Sequence, residues 1–328
     1  MKHLPSLLKE IARRRLLVIG DVMLDRYLWG DATRISPEAP VPVVHIVRET
    51  ATVGGAANVA NNIAALGAKV EVVGVIGQDE NGATFRHHLR TAGIGFDARF
   101  ALKDVPTITK TRVVVRNQQL CRLDREKEPD TYRRVLADPK VLKRLDAKIA
   151  AADGVILSDY AKGILSTEII AHITALVRAH GKFIALDPKP ASGVRFRELD
   201  LLTPNRKEAI ELADLPPHAG HEPDVADICT AIWKKYRPKN LVITLGADGM
   251  LISAQGRVMQ KIATAARQVY DVSGAGDTVI AALTLALTSG ASLEDAAHFA
   301  NAAAGVVVGK LGTATVTPEE LSAYVASS

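Results

Sequence analysis

The sequence predicts an α/β fold in which helices cover both faces of a mostly parallel β-sheet. Short apolar segments alternate with segments of helical periodicity along most of the 328 residues, as in chains of βα units. Hydrophobic residues make up 48% of the chain and aromatic residues only 4%, so the core must consist largely of Ala, Val, Ile and Leu. Strands of that composition are typical of parallel sheets that are buried on both faces.

The first part of the chain predicts core elements and an accessory sheet. Leu16–Ile19 predicts a buried strand, and helical periodicity begins after Gly54 and Gly55. Two extended stretches, within about 30–48 and 105–124, do not fit the alternation, and we interpret them as a small β-sheet that projects as a lid. The other elements predicted here are strands at 41–47, 69–76 and 107–115 and helices at 56–66 and 81–92.

The second part of the chain settles into a regular alternation. Apolar strands are separated by amphipathic helices, which indicates parallel strands joined by crossover helices, and a block of three helices follows. In chain order we predict a helix at 133–151, a strand at 154–158, a helix at 167–179, strands at 183–187 and 200–203, helices at 207–213 and 225–236, a strand at 241–245, and helices at 275–290, 293–308 and 318–325.

Composition and charge exclude several classes of protein. Charged residues form 23% of the chain, near the globular average, which excludes wholesale disorder. The 41 Lys and Arg against 36 Asp and Glu leave a mild net charge of +5, and no RNA- or DNA-binding signature accompanies it. We therefore expect no nucleic-acid partner, and a non-enzymatic nucleotide- or nucleic-acid-binding module is the weakest hypothesis.

The cysteines and the apolar stretches indicate the compartment. Cys121 and Cys229 are too few for a disulfide framework and fit a reducing cytoplasm, so we expect a cytoplasmic protein. The longest apolar stretch, 279–291, is shorter than the roughly 20 residues that span a bilayer. No membrane partner is therefore expected.

The strongest motif runs from Asp271 to Thr278 and opens a long apolar helix. The small residues at Gly274–Gly276 would leave backbone N–H groups unpaired at a helix N-terminus, where the helix dipole favours an anion. Asp277 follows in the first turn, and we predict that it accepts the proton of an attacking hydroxyl. The alternative is an aspartate that only complements the helix dipole.

Four motifs occur in the order found in the ribokinase-like sugar kinases, also called the PfkB family. The sequence resembles this family along nearly its whole length, and four ordered motifs are more specific than any one of them. The resemblance implies a ribokinase-like three-layer α/β/α fold with a mostly parallel sheet and a small β-sheet lid, in which residues 1–328 form one kinase domain. The motifs are Gly54-Gly55-Ala56-Ala57-Asn58, Asn205-Arg206-Lys207-Glu208, Thr244-Leu245-Gly246-Ala247-Asp248-Gly249 and Gly274-Ala275-Gly276-Asp277.

The same resemblance implies phosphorylation of a sugar hydroxyl, with ATP and Mg²⁺ as cofactors. Asp277 would be the catalytic base, and the backbone amides of Gly274, Ala275 and Gly276 would stabilise the developing charge. The nucleotide would contact two motifs and the serine that precedes the glycines. These residues are Asn205, Arg206, Lys207, Glu208, Thr244, Gly246, Asp248, Gly249 and Ser273.

The magnesium ion is implied at the second motif. Asn205 and Glu208 resemble the pair that orders Mg²⁺, through water molecules, since Mg²⁺ gives up its hydration reluctantly. The alternative is an N-terminal capping box formed by the same two residues, and both roles are compatible.

The sugar would be bound where the first strand ends. Asp25 occupies the family's sugar-binding carboxylate position, and Asp21 lies at the edge where open parallel sheets bind ligands. Turn formation is the alternative for both aspartates. The first motif would add Gly54, Gly55 and Asn58 to the substrate-binding residues.

Within the family, four segments resemble the bacterial D-glycero-β-D-manno-heptose 7-phosphate kinases, namely 20–30, 35–43, 158–163 and 187–189. The resemblance implies ATP-dependent phosphorylation of the anomeric hydroxyl of D-glycero-D-manno-heptose 7-phosphate to the 1,7-bisphosphate, for ADP-heptose and lipopolysaccharide core synthesis. Some relatives are fused to a nucleotidyltransferase, and we expect no such second domain here. A ribokinase-like kinase of another sugar or of a nucleoside is the alternative.

One short string matches a different enzyme class. His218-Ala219-Gly220-His221 fits the HxGH pattern of nucleotidyltransferases, but that motif requires a strand and a glycine-rich turn before it. Pro216 and Pro217 precede it instead. We interpret the string as part of a surface loop.

A phosphorylated sugar needs cations in its binding site. Strand alternation places a row of basic residues on one face of the predicted lid, which could close over an anionic substrate. A solvated face is the alternative, and two lysines near the ends of core strands are further possibilities. The row is Lys110, Arg112, Arg116 and, if the strand continues, Arg122, and the two lysines are Lys162 and Lys189.

The other face of the lid carries Val113, Val115 and Cys121 and would be exposed on a lone thin sheet. Pairing of two lids across a twofold axis would bury that face. We therefore expect a homodimer that forms through the lids, and the resemblance agrees with this expectation.

Overall fold

The computed structural model describes residues 4–116, 118–215 and 223–327. The HxGH string at 218–221 and the two prolines before it lie outside these described residues. Within the described ranges, no helix is both long enough and apolar enough to cross a membrane.

Strands and helices alternate along most of the chain, as the sequence predicts. The strands are β1 (Arg15–Gly20), β2 (Val22–Ile35), β3 (Pro42–Gly55), β4 (Lys69–Val73), β5 (Ile76–Gly77), β6 (Gly95–Phe96), β7 (Ala101–Leu102), β8 (Thr109–Val115), β9 (Gln118–Arg125), β10 (Gly154–Ser158), β11 (Phe183–Asp187), β12 (Leu201–Leu202), β13 (Asn240–Thr244), β14 (Met250–Ala254) and β15 (Arg257–Ile262). The helices are α1 (Leu4–Ile11), α2 (Ala56–Ala65), α3 (Glu80–Thr91), α4 (Pro129–Leu136), α5 (Pro139–Ala151), α6 (Thr167–Ala179), α7 (Arg206–Ala213), α8 (Val225–Tyr236), α9 (Ala275–Thr288), α10 (Leu293–Val307) and α11 (Pro318–Ala326).

The main sheet has the strand order β15-β14-β13-β12-β11-β10-β1-β4-β6 among the described residues. Strand β1 pairs in parallel with β10 and β4, and parallel pairing continues from β10 through β11 and β12 to β13. Strands β14 and β15 extend one edge in antiparallel pairing. The predicted mostly parallel sheet is therefore confirmed.

Apolar cores lie on both faces of the main sheet. Leu16 and Val18 of β1 belong to a core that α2, α9 and α10 complete, whereas Leu17 and Ile19 belong to a core that includes α5, α6 and α8. Alternate side chains of a strand point to opposite faces, so this division follows from the strand's period of two. The result is the three-layer α/β/α architecture predicted for the chain.

A second sheet, with the order β3-β2-β8-β9, is the small sheet. Strand β2 pairs with β8 in parallel and with β3 in antiparallel register, and β9 is antiparallel to β8. Only Asp21 separates β1 from β2, and β3 leads directly into α2 at Ala56. The small sheet is therefore joined without a loop to both the main sheet and α2.

The structure differs from the predicted boundaries in several places. The first pair of lid strands, at 22–35 and 42–55, extends beyond the predicted 30–48 at both ends, because the residues after Asp21 pair with β3 instead of forming a turn. The helix predicted at 133–151 is two helices, since Pro139 lacks the N–H that a continuous helix needs and Asp138 caps the second one. Helix α1 and the β14–β15 hairpin are additional elements.

Candidate active site

The four predicted motifs converge at the carboxyl edge of the main sheet, whereas the predicted cations do not. Helix α9 begins at Ala275 with Gly274 as its N-cap residue, in left-handed conformation with φ 79°. A Cβ at Gly274 would lie 2.7 Å from Nδ2 of Asn58, so a side chain there would collide as well as strain the backbone. Of the three predicted amides, the Ala275 N–H already donates to the Val272 carbonyl oxygen at 3.2 Å. Within the described residues, the N–H groups of Gly276 and of the next residue, Asp277, have no hydrogen-bond partner, as expected in a first helical turn.

Asp277 is buried and both of its carboxylate oxygens accept a hydrogen bond. The Tyr160 hydroxyl donates to Oδ1 at 2.5 Å, and Nδ2 of Asn58 donates to Oδ2 at 2.6 Å. Burial, together with the charge of nearby Asp25, raises the pKa of Asp277 to about 6, although the two hydrogen bonds favour the ionised form. A carboxylate with this pKa can accept a proton near neutral pH.

Asn58 is itself held in place by the next turn of α2. The Asn62 side chain donates to the Asn58 carbonyl oxygen at 2.9 Å, and the Thr278 hydroxyl donates to Oδ1 of Asn62 at 2.8 Å. Helix α2 and the first turn of α9 are therefore joined by two polar contacts, Asn58–Asp277 and Asn62–Thr278.

The Asp21 side chain forms hydrogen bonds to a loop, which the sequence did not predict. Its buried carboxylate accepts hydrogen bonds from the backbone N–H groups of Tyr160, Lys162 and Ile164 at 2.9, 3.0 and 3.0 Å. Its side chain is thus engaged by the loop that follows β10, and it holds this loop so that Tyr160 reaches Asp277. We therefore leave Asp21 out of the sugar-binding set proposed below.

Asp25 lies on the small sheet and is paired with a cation. Arg112 Nη1 donates to Asp25 Oδ1 at 2.5 Å, and the same guanidinium lies 5.3 Å from the ring centroid of Tyr27. A Cβ at Gly54 would lie 2.1 Å from Oδ2 of Asp25, so the glycine is required for β3 to pass this carboxylate. Gly55, with φ 61°, then begins α2.

A cleft of about 670 Å³ lies between the small sheet and the loops around α9. Asp271 holds these loops together, because Oδ1 accepts from the Ser273 N–H at 2.9 Å and Oδ2 from the Gly312 N–H at 3.0 Å. Arg112 and Ser273 are among the residues that line the cleft. Its size suits a small molecule the size of a sugar phosphate.

The predicted nucleotide residues lie at the ends of β12 and β13, except Ser273, which lines the cleft before α9. The capping box forms: Asn205 Oδ1 accepts from the Glu208 N–H and Glu208 Oε2 from the Asn205 N–H, both at 3.0 Å. Asn205 also forms a parallel bridge with Thr244. Arg206 contacts Asp248 at 3.0 Å, and the exposed Lys207 and the turn from Gly246 to Gly249 lie in the same region.

The predicted phosphate-binding cations lie in different places. Lys162 Nζ pairs with Glu126 at 2.7 Å, and Lys189 Nζ pairs with Glu208 at 3.0 Å beside the nucleotide motif. Arg112 is paired with Asp25. Strand β8 ends at Val115, so the alternation that put Arg116 on the same face as Arg112 does not reach it, and Arg116 lies exposed in the following turn with φ 46°.

A family model for the pfkB carbohydrate kinases matches residues 13–320, which include every motif described above. The chain belongs to the pfkB family of carbohydrate kinases. The resemblance inferred from four ordered motifs is therefore confirmed, and membership of this family implies use of ATP.

Individual relatives of this pfkB kinase share about two fifths of its residues. Bifunctional protein HldE of Sulfurimonas denitrificans is 42% identical over 316 residues, which cover 95% of this chain and 64% of the relative. Bifunctional protein HldE of Helicobacter pylori is 43% identical over 315 residues, which cover 94% and 66%. The chain spans just under two thirds of the length of these relatives. Ribokinase from Giardia lamblia shares the fold, with a TM-score of 0.75 at 18% identity over 96% of this chain and 99% of that one.

The residues at α7 fit a hydrated Mg²⁺ better than a direct metal cage. Among the described residues, no three acidic, histidine or cysteine side chains converge closely enough to hold a metal. Asp187, at the end of β11, has its pKa raised well above the usual value by burial and by the charges of Asp277 and Glu208. Glu208 also pairs with Lys189 and accepts from the Asn205 N–H, so the oxygen atoms of Asn205 and Glu208 suit contacts to the water molecules of a hydrated dication.

Three site residues of this pfkB kinase were not predicted. Tyr160, Asn62 and Asp187 surround Asp277 or Glu208, yet no motif singled out their roles. A usable signal existed for two of them, since Tyr160 and Asp187 follow or end consecutive buried strands, and the carboxyl ends of parallel strands share one edge. Asn62 lies one helical turn after Asn58. Polar residues at this spacing occur in many helices, so the spacing alone does not predict a role in the site.

Proposed function

We propose that the chain transfers the γ-phosphoryl group of ATP to the anomeric hydroxyl of D-glycero-D-manno-heptose 7-phosphate and forms the 1,7-bisphosphate. The observation that carries the transfer is the buried Asp277, held by Tyr160 and Asn58 beside unpaired N–H groups of α9. The heptose is supported by the segments that resemble heptose 7-phosphate kinases and by the HldE relatives at 42–43% identity.

Asp277 is proposed to accept the proton of the sugar hydroxyl. Each carboxylate oxygen has two lone pairs, and the bonds from Tyr160 and Asn58 use one on each oxygen. A further acceptor position therefore remains for the substrate, while the two donors keep the side chain in one orientation. Proton removal as the new P–O bond forms makes the sugar oxygen a better nucleophile.

The N-terminus of α9 is proposed to stabilise the transferring group. The N–H groups of Gly276 and Asp277 are free of protein acceptors among the described residues, and the helix dipole adds positive potential there. Negative charge that builds on the equatorial oxygens would meet these donors without rearrangement. Mg²⁺ would supply charge neutralisation of the ATP phosphates, and Asn205 and Glu208 would orient its waters.

Asp25, Gly54, Gly55 and Asn58 are proposed to bind the sugar. Asp25 is buried, its charge acts on Asp277, and its carboxylate pairs with Arg112. A carboxylate at this place can accept hydrogen bonds from sugar hydroxyls, and the arginine can donate to others.

Replacing Tyr160 by Phe is expected to move the acidic limb of the kcat/KM–pH profile upward from about pH 6 by about 1 unit. Asp277 must be ionised to act, so activity falls below its pKa of about 6. The Tyr160 hydroxyl favours the ionised form, and its removal raises the pKa further, whereas Asp25, Asp187 and Asn58 are unchanged. Tyr132→Phe, which removes another buried hydroxyl, should leave the limb in place. If the acidic limbs of Tyr160→Phe and the wild type fall at the same pH, Tyr160 does not lower the pKa of Asp277.

The substrate is tested by a panel of sugars and sugar phosphates with ATP and Mg²⁺, read by ADP release. Heptose 7-phosphate is expected to give the highest kcat/KM, and ribose, fructose, adenosine and hexose 6-phosphates lower ones. A neutral sugar or nucleoside that outperforms every phosphorylated heptose would replace the proposal by the kinase of another substrate.

A homodimer through the small sheets is also proposed. The face predicted to pair is only partly exposed, since Val113 is buried and Val115 half-buried, whereas Cys121 is exposed. Other apolar side chains on the strands of the small sheet are exposed, and a monomer would leave them in water. Light scattering should give twice the 35.0 kDa of one chain, and Leu123→Glu should shift the mass to that of a monomer. The side chains are Ile35, Ile46, Val47, Leu120 and Leu123, between 43% and 65% exposed.

A further inference from the structure

Lys110 lies on the face of the small sheet that looks into the cleft. Its Cα pairs with Asp25 on β2 and with Asp124 on β9, and laterally paired residues point to the same side of a sheet. Arg112, two residues on, shares this face and lines the cleft. Lys110 is therefore a direct neighbour of the sugar-binding carboxylate, about 4.8 Å away along the hydrogen-bonding direction of the sheet.

The Lys110 ammonium has no anion of its own. Within residues 4–116, 118–215 and 223–327, it forms neither a hydrogen bond nor an ion pair, although the side chain is half-buried. Burial and the charges of Lys162 and Arg122 lower its pKa, and Asp124 and Asp25 offset this only in part. A buried cation beside two other cations is unfavourable unless an anion joins them.

The neighbouring cations are already matched one to one. Lys162 pairs with Glu126 at 2.7 Å, and Arg122 pairs with Asp124 through two contacts at 2.8 and 2.9 Å. These pairs leave one uncompensated positive charge, on Lys110. The three cations come from β8, β9 and the loop after β10, so separate elements converge on one point.

This point adjoins Asp25, since Lys110 is paired laterally with it, and the charge of Asp25 also acts on Asp277. A sugar seated on Asp25 with its reacting hydroxyl at Asp277 would thus have another of its groups within reach of Lys110. An anionic group at that position would supply the carboxylate or phosphate partner that Lys110 lacks.

We propose that Lys110, with Lys162 and Arg122, forms the subsite for a phosphate monoester that the sugar carries at a position other than the reacting hydroxyl. The inference rests on the proposed function and assigns its phosphate recognition. Lys162 and Arg122 are included because they are the cations whose charges act on Lys110, although each also pairs with a carboxylate. Lys189 belongs to the nucleotide side and Arg116 is about 20 Å along the strand at its tip, so neither occupies this point.

The test is steady-state kinetics of Lys110→Met with heptose 7-phosphate and with the same heptose lacking the phosphate. The variant is expected to raise KM for the phosphorylated sugar at least about tenfold, because a charge-assisted contact is lost. KM for ATP and for the unphosphorylated sugar should stay within about twofold of wild type, and Lys110→Arg should restore most of the loss. The matched control is Lys69→Met. Lys69 is an exposed lysine at the start of β4, at the amino-terminal edge of the main sheet, whereas the candidate site lies at the carboxyl edge.

The outcomes separate the subsite from the proposed function. A wild-type enzyme that turns over no sugar phosphate overturns the function, and the subsite with it. A wild-type enzyme that prefers heptose 7-phosphate, with Lys110→Met unchanged in its KM, overturns the subsite alone. If Lys110→Met does not fold, inhibition of the wild type by inorganic sulfate decides: competition with the sugar phosphate that is weakened at least fivefold in Lys110→Gln supports the subsite, and equal inhibition of both overturns it.

Discussion

Asp277→Asn is expected to lower kcat by about 10³-fold or more, while KM for ATP changes by less than about threefold. The amide has the shape of the carboxylate and can remain beside Tyr160 and Asn58, but it cannot accept the proton of the sugar hydroxyl. Removing a buried charge whose pKa is raised by desolvation also avoids an energetic cost, so the variant should unfold at or above the wild-type temperature. Stopped-flow or coupled ADP assays together with thermal unfolding measure both effects.

The chain offers a control at the same helical position. Asp295 is the third residue of α10, as Asp277 is of α9, but it is exposed and bonded only to the N-cap Ser292. If Asp277 only complemented the helix dipole, the two Asn variants would behave alike and each would lose roughly 0.3–1 kcal/mol of stability. Near-normal turnover in Asp277→Asn would remove it from the role of base.

Asp21→Ala is expected to lower the free energy of unfolding by about 3 kcal/mol or more, because three backbone N–H groups lose their acceptor in a buried place. The loop after β10 should also shift, and Tyr160 would then no longer hold Asp277, so kcat should fall at least about tenfold in the fraction that folds. Urea unfolding and the kcat of the folded enzyme are the measurements.

Asp31→Ala provides the comparison, since Asp31 lies on β2 but is exposed. Its unfolding free energy should stay within roughly 0.5 kcal/mol of wild type, as for most surface substitutions. A stability loss in Asp21→Ala no larger than in Asp31→Ala would show that the three N–H groups find other partners. Loss of sugar affinity with unchanged stability would return Asp21 to the substrate-binding residues.

Most of the main sheet could be predicted because its information is local. Strands such as β10 and β11 are short apolar runs with polar ends, and helices α6 and α8 begin and end at the predicted residues. The β14–β15 hairpin could not, because its second strand is almost entirely exposed and carries no apolar pattern. The predicted first lid strand is shorter than β2 for a similar reason. In the structure, pairing with β3 outweighs the turn preference of the polar residues near Asp21.

The candidate site, too, has residues that local sequence predicts and contacts that it does not. Asp277 and the glycines before it follow from a local motif at one helix N-terminus. The contact between Tyr160 and Asp277 joins residues that are far apart in sequence, and so does the attachment of Asp21 to the loop after β10. Such contacts depend on how the strands are ordered in the sheet, which no pattern within one segment specifies.

The direct junction of β3 and α2 has a mechanical consequence. From Pro42 to Ala65 no loop intervenes, so the strand that borders the sugar and the helix that carries Asn58 form one continuous lever. A movement of the small sheet relative to the main sheet would therefore displace the amide of Asn58 that orients Asp277. Occupancy of one end of the lever by a sugar would thus set the aim of the proton acceptor at the other, and an empty enzyme would be slow to spend ATP on water.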